Sequence, residues 1–288
     1  AESLTARFAW QDGTLALEDA AVRVAGGGTA TGRITIATRG GASDGALQLR
    51  QVDLARIQST LPTTRLSGTL AAQVTGPRQD VRGSLRDDAA DAARAGPRSV
   101  DFAAVVEGRR VRIDSFRAQA GGGTLAGRGN LALDGGRAFS VSARATNFDP
   151  SRFADLPPGI LKGTIDASGT LAPVWNVSAD LTLDAGSQFA GTAVSGRARA
   201  LATPGRVTAL DLKLRAASAT LALEGAWGGA ADRLQFALDA PRLVELRPLL
   251  QRLTAPWPDA FDGAVRLKGA LSGAARHPGL ELDAHVKA

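Results

Sequence analysis

The run Gly26-Gly27-Gly28-Thr29 returns as Gly121-Gly122-Gly123-Thr124, a shift of 95 residues, and its surroundings return with it. A fixed internal period is a strong constraint, because each unit must build the same supersecondary element and extend its neighbour. Ahead of each copy stands a pair of short alternating runs, 14–17 with 22–24 in the first and 110–113 with 116–118 in the second. A weaker third copy spans 207–214 and 220–225, with Ala217-Ser218-Ala219 in place of the glycines. The rest of the period recurs as well: Leu54-Ala55-Arg56-Ile57, Leu61-Pro62 and 66–70 answer 148–153, Leu156-Pro157 and 161–165, and then 243–246, Pro256-Trp257-Pro258 and 261–265. The chain reads as one continuous repeat array over 1–288, with approximate units 1–98, 99–196 and 197–288, cut from a longer protein.

Within each unit the dominant pattern has a period of two. Leu15/Leu17, Val22/Val24, Ile34/Ile36, Leu47/Leu49, Val111/Ile113, Leu131/Leu133, Phe139/Val141 and Leu181/Leu183 place large apolar side chains on one face. Leu210/Leu212/Leu214, Leu221/Leu223, Phe236/Leu238 and Leu280/Leu282 continue the pattern, with Ala, Arg, Asp, Thr or Ser between. That predicts antiparallel strands with one apolar and one wet face. Gly40-Gly41, Asp44-Gly45, Asp134-Gly135-Gly136, Pro204-Gly205 and Gly228-Gly229 supply hairpin turns. About eighteen meandering strands follow, which laid side by side extend roughly 85 Å. Each unit also carries one short helix: 53–61, a segment opened by Asp149-Pro150 with Phe153 and Leu156 three apart, and a leucine stripe from Pro241 through Leu243, Leu246, Leu249, Leu250 and Leu253 to Pro256. The acidic, alanine-rich stretch 87–97 reads as an exposed loop.

Composition narrows what the apolar faces can be. Aromatics are 5% and Tyr is absent, so the faces are built from Leu, Val and Ala. Such a face suits a filled sandwich, and it suits a shallow, chemically uniform trough.

Little material for catalysis is present, and no enzyme activity or cofactor is expected. The chain has no Cys and two His, His277 and His285, which excludes a thiolate metal site or cysteine nucleophile and leaves little for a histidine site. Gly121-Gly122-Gly123-Thr124-Leu125-Ala126 loosely matches a dinucleotide fingerprint, yet a strand follows instead of a helix, so it reads as a turn. Asp87, Asp88 and Asp91 lack calcium-loop spacing. The pI of 10.8 comes from arginines such as Arg33, Arg112, Arg197 and Arg215 scattered singly on polar strand positions. No nucleic-acid partner is expected from that dispersion. Trp10, Trp175, Trp227 and Trp257 lie near turns and are expected to seal the ends of the apolar face.

From Leu54 onward, Asn147-Phe148-Asp149-Pro150-Ser151-Arg152-Phe153, then 156–169, then Trp175-Asn176-Val177 and 180–183, and then 238–243 follow in a set order. By these motifs the chain resembles the TamB family, inner-membrane subunits of a translocation and assembly module within the AsmA-like, bridge-like lipid transfer group. The resemblance implies a periplasmic, apolar β-groove, or β-taco, in a protein held in the inner membrane of a Gram-negative bacterium by an anchor outside this chain. It also implies an outer-membrane barrel partner, TamA-like, met through other regions, and a part in phospholipid transport, outer-membrane protein assembly and autotransporter secretion. In that frame the alternating leucines, valines, isoleucines and phenylalanines from Leu15 to Leu238 are expected to line the groove and hold acyl chains. Two other readings stay open: a scaffold that receives strands of unfolded outer-membrane proteins by β-augmentation, and a secreted β-solenoid whose repeat is structural only.

Overall fold

A computed structural model describes residues 3–23, 27–38, 41–57, 63–88, 98–153, 156–253, 263–274 and 278–287. The chain is mainly β and divides into two compact units, Ala1–Leu133 and Asp134–Ala288, a boundary that falls inside the second sequence repeat.

In the first unit nine strands follow one another: β1 (Ser3–Gln11), β2 (Thr14–Arg23), β3 (Thr29–Ala37), β4 (Ala42–Val52), β5 (Leu66–Thr75), β6 (Arg78–Asp87), β7 (Arg98–Glu107), β8 (Arg110–Ala120) and β9 (Gly123–Ala132). Each pairs antiparallel with the next. The second unit repeats the plan with β10 (Ala138–Phe148), β11 (Gly159–Thr170), β12 (Asn176–Phe189), β13 (Thr192–Thr203), β14 (Arg206–Ala216), β15 (Ala219–Trp227), β16 (Arg233–Ala240), β17 (Ala264–Ser272) and β18 (Gly279–Lys287). These too pair in sequence order. The meander follows from its turns. Gly121 and Gly122, at φ 58° and 81°, reverse the chain between β8 and β9 in the doubly left-handed geometry that matches strand twist.

Several local expectations are corrected. Residues 14–17 and 22–23 lie on one strand, β2, whose register shifts between Leu17 and Ala20 around Asp19 at φ 50°. The pair 110–113 and 116–118 is likewise the single strand β8, shifted between Ile113 and Phe116. A bulge inserts residues that break the parity of the pattern, which is why one strand reads as two. Asp44-Gly45 is not a turn but part of β4. The helix from Asp149 shrinks to a 3-10 turn, Pro150–Arg152, and Leu156 lies beyond it, exposed. α1 (Leu54–Ile57) is the described part of the first helix. The leucine stripe forms a 3-10 turn, Leu243–Leu246, that runs into α2 (Arg247–Leu253).

Packing is concentrated there. Leu243 and Leu246 cover Val194, Ala216, Ala219 and Ala240 at the ends of β13 to β16, with Leu249 and Leu250 alongside. The small side chains under the helical turn let it approach the sheet closely.

Candidate functional site

Strand register fixes which side chains share a face, because directly opposed residues of an antiparallel pair project to the same side. In the first unit Phe8, Leu17, Ile34, Gly45, Ala72, Val81, Ala104, Ile113 and Gly129 form one row across all nine strands. In the second, Ala143, Ile165, Leu181, Ala198, Leu212, Leu223, Phe236, Gly269 and Leu282 do the same. A parallel row runs Val141, Ala167, Ala179, Ala200, Leu210, Gly225, Leu234, Leu271 and Leu280. None of the three contains a polar side chain. The opposite face carries rows such as Thr35, Asp44, Gln73, Asp80, Val105, Arg112 and Asn130.

Phenylalanine and glycine are paired across strands within the apolar faces: Phe102 with Gly83, Phe116 with Gly127, Phe139 with Gly169, and Phe236 with Gly269. At Gly83 and Gly269 the ring opposite occupies the space a Cβ would take, as in aromatic rescue of strand glycines.

The positions expected to line a groove fall as follows. Leu15, Leu17, Val22, Ile34, Ile36, Val111, Ile113 and Leu131 lie on the apolar face of the first unit. Phe139, Val141, Leu181, Leu183, Leu210, Leu212, Leu214, Leu221, Leu223, Phe236 and Leu238 lie on that of the second. All are half-buried except Ile36, which is exposed. Leu133 is the exception in position: it stands past the end of β9, exposed, with its amide on the Arg109 carbonyl. Val24 lies outside the described residues. Trp10 is exposed on β1, Trp175 is exposed between β11 and β12, and Trp227 closes β15, while Trp257 also lies outside the described residues. None of the described positions among these is fully buried.

Each helical turn is bracketed to the sheet. Asp149 Oδ1 accepts the Ser151 amide at 3.1 Å and the Gly159 amide at 3.1 Å. Asp53 Oδ1 does the same with the Ala55 amide at 3.1 Å and the Thr64 amide at 3.0 Å. Arg242 stands in the corresponding place before the third turn, and the backbone substitutes: the Leu243 amide donates to the Gly263 carbonyl at 2.9 Å. Burial pushes the Asp149 carboxyl up, but the Ser151 hydroxyl, the Gly159 and Ser151 amides and Arg152 outweigh it and hold the group below its ordinary value.

Two further features were not legible in the sequence. Asp87 is not in an exposed loop but is buried at the end of β6, paired with Arg98 and accepting the Arg65 amide at 2.8 Å. The scattered basic residues do assemble. On the polar face of the second unit Arg197 stands directly opposite Lys213, with Arg215 two residues along and Lys268 and Arg266 beyond a floor of Ala222 and Ala237. No local sequence signal joins residues that far apart. Only the register does.

Among the described residues no His, Asp and Glu cluster is placed to hold a metal ion, and no helix is long and apolar enough to cross a membrane. Comparison with protein-family models, with curated proteins and with solved structures finds no match for this chain.

Proposed function

We propose that the chain is a groove-forming stretch of a TamB-like periplasmic protein, whose apolar sheet faces carry phospholipid acyl chains toward the outer membrane. The observation that carries this reading is the unbroken apolar register across nine consecutive strands in each unit. A uniform apolar face gives a hydrocarbon chain about 0.8 kcal/mol per buried CH₂ at each step, with no polar group at which it must stop. Recurrence of the aspartate bracket at Asp53 and Asp149 supports a structural period that lengthens one face and does not build a single site. The inner-membrane anchor and the outer-membrane barrel partner belong to the same reading and lie outside this chain.

Photo-crosslinking residues placed in the full-length protein test it. Probes at Ile113 and Leu212 should capture phospholipid, while probes at their sequence neighbours Arg112 and Lys213, on the other face, should not. Leu183→Asp, in the middle of the apolar face of β12, should abolish capture at Leu212. Equal lipid yield from both faces, or capture of unfolded barrel proteins by Ile113 and Leu212 in place of lipid, would overturn the proposal; the second result would favour a strand-binding scaffold.

A further inference from the structure

The basic cluster on the polar face of the second unit is a separate feature and does not depend on what the apolar face holds. Arg197 and Lys213 are directly opposed on β13 and β14, an arrangement that repels. Arg215 follows on β14, and Arg266 and Lys268 come from β17, three strands away, which is about 14 Å at the usual strand spacing. Lys213, Arg215, Arg266 and Lys268, together with Asp239, line an open hollow of about 590 Å³ floored by Ala222 and Ala237, and Arg197 stands beside it, opposite Lys213.

In the two register rows that carry them the five cations outnumber the acids, Asp239 and Asp283, and Asp211 and Glu224 lie in the next same-face row. Asp239 pairs with Arg266 at 3.2 Å, and Asp283, opposite Lys268 in register, faces His285 at 3.8 Å. Arg197, Lys213, Arg215 and Lys268 have no ion pair among the described residues. Some arginines elsewhere on the polar faces do have acids, as in Arg78 with Asp80, Arg112 with Asp114 and Arg199 with Asp180. Cations left facing one another across a small-residue floor are stabilised by an anion brought from outside.

We propose that this hollow docks the polar face of the second unit on an anionic phospholipid bilayer, its cations engaging several headgroup phosphates at once. The five cations are exposed and held by no buried partner, so they do not preorganise around one small molecule. They are instead spread over an area that several headgroups can meet together. No aromatic side chain lines the hollow, which removes the stacking that single-stranded nucleic acid uses.

Each cation near such a surface is worth about fivefold in partition, so removing three costs about a hundredfold. The experiment is co-sedimentation of the full chain with vesicles of pure phosphatidylcholine or of phosphatidylcholine with phosphatidylglycerol, at low and high salt. The triple variant Lys213→Gln, Arg215→Gln, Lys268→Gln should lose most of its binding to the anionic vesicles. A matched variant of the first unit, Arg33→Gln, Arg50→Gln, Arg82→Gln, removes the same charge and should lose no more than a fewfold. Circular dichroism confirms that both variants are folded. Equal losses in the two variants, equal binding of the native chain to neutral vesicles, displacement by millimolar inorganic phosphate, or tighter cluster-dependent binding to a DNA oligonucleotide or polyglutamate would each overturn the proposal. Because the readout is polar-face charge, it is independent of lipid capture at Leu212.

Discussion

Phe102 lies across the strand from Gly83, and its ring atom Cζ is 2.6 Å from where a Cβ on that glycine would stand. Gly269 and Phe236 repeat the relationship at 2.6 Å, but there a Cβ also collides with the carbonyl oxygen of Glu281 on β18. The difference predicts a graded response. Gly83→Ala meets only side chains that can turn aside and should cost about 1 kcal/mol, whereas Gly269→Ala must shift a backbone and should cost about 3 kcal/mol. Urea denaturation followed by circular dichroism measures both. Adding Phe102→Leu to Gly83→Ala should recover part of its loss, since neighbouring residues couple.

Asp149 gives the fold an acid-sensitive joint. Its carboxyl titrates below the ordinary 3.8, so the ionised form is favoured by folding. A depressed carboxylate contributes stability above its unfolded value, and that contribution disappears as pH falls through the lowered folded value. Asp149→Asn keeps an acceptor but loses the charge, and should destabilise by about 1–2 kcal/mol at neutral pH. Thermal melts at a series of pH values should show native and variant curves parallel above the unfolded carboxylate value and converging in the acid range, as pH falls through the lowered folded value. A gap that persists into that acid range would mean the carboxylate charge is not what the bracket uses.

How much of this was legible beforehand depended on where the side chains are large. Leu210, Leu212 and Leu214 alternate without interruption, so β14 and its apolar face could be read directly. β6 was harder, because Gly83 stands where the pattern needs a large residue and only Val81 and Leu85 mark the face. Bulges at Asp19 and after Ile113 changed parity and split single strands in two. The opposition of Arg197 and Lys213 requires the turn at Pro204-Gly205 and the register shift beside Leu201 to be known together, and composition carries neither. Buried Asp87 was hidden for a related reason: its partner Arg98 lies across a long connection, and an Asp-Asp-Ala-Ala run looks like solvent-exposed chain.

That pair supports a second stability prediction. The side chains of Asp87 and Arg98 are 10% and 11% exposed, so removing either partner leaves a charge with little access to water. Asp87→Ala should cost about 3–5 kcal/mol. Arg86→Ala, which removes an exposed partner of Asp88 one residue away, should cost less than about 1 kcal/mol. Chemical denaturation of the two variants distinguishes a buried pair from a surface one, and equal effects would contradict the burial of Asp87.

Leu246 and Val244 share one helical turn but face opposite ways: Leu246 is 8% exposed over Ala216 and Ala240, while Val244 is 43% exposed. The turn is fastened by the Leu243 amide on Gly263 and by Glu245, which accepts the Ser218 amide at 3.1 Å. With its backbone anchored on both sides, the segment cannot collapse into a cavity beneath it, and the cost of emptying that space stays high. Leu246→Ala should therefore cost about 2–4 kcal/mol, at the level of a core leucine, and Val244→Ala within about 0.5 kcal/mol of zero. Hydrogen exchange locates the effect: in Leu246→Ala the amides of Ser218 and Leu243 should lose protection before those of β11 and β12. Simultaneous loss throughout the second unit would instead make this helical turn a determinant of the whole sheet.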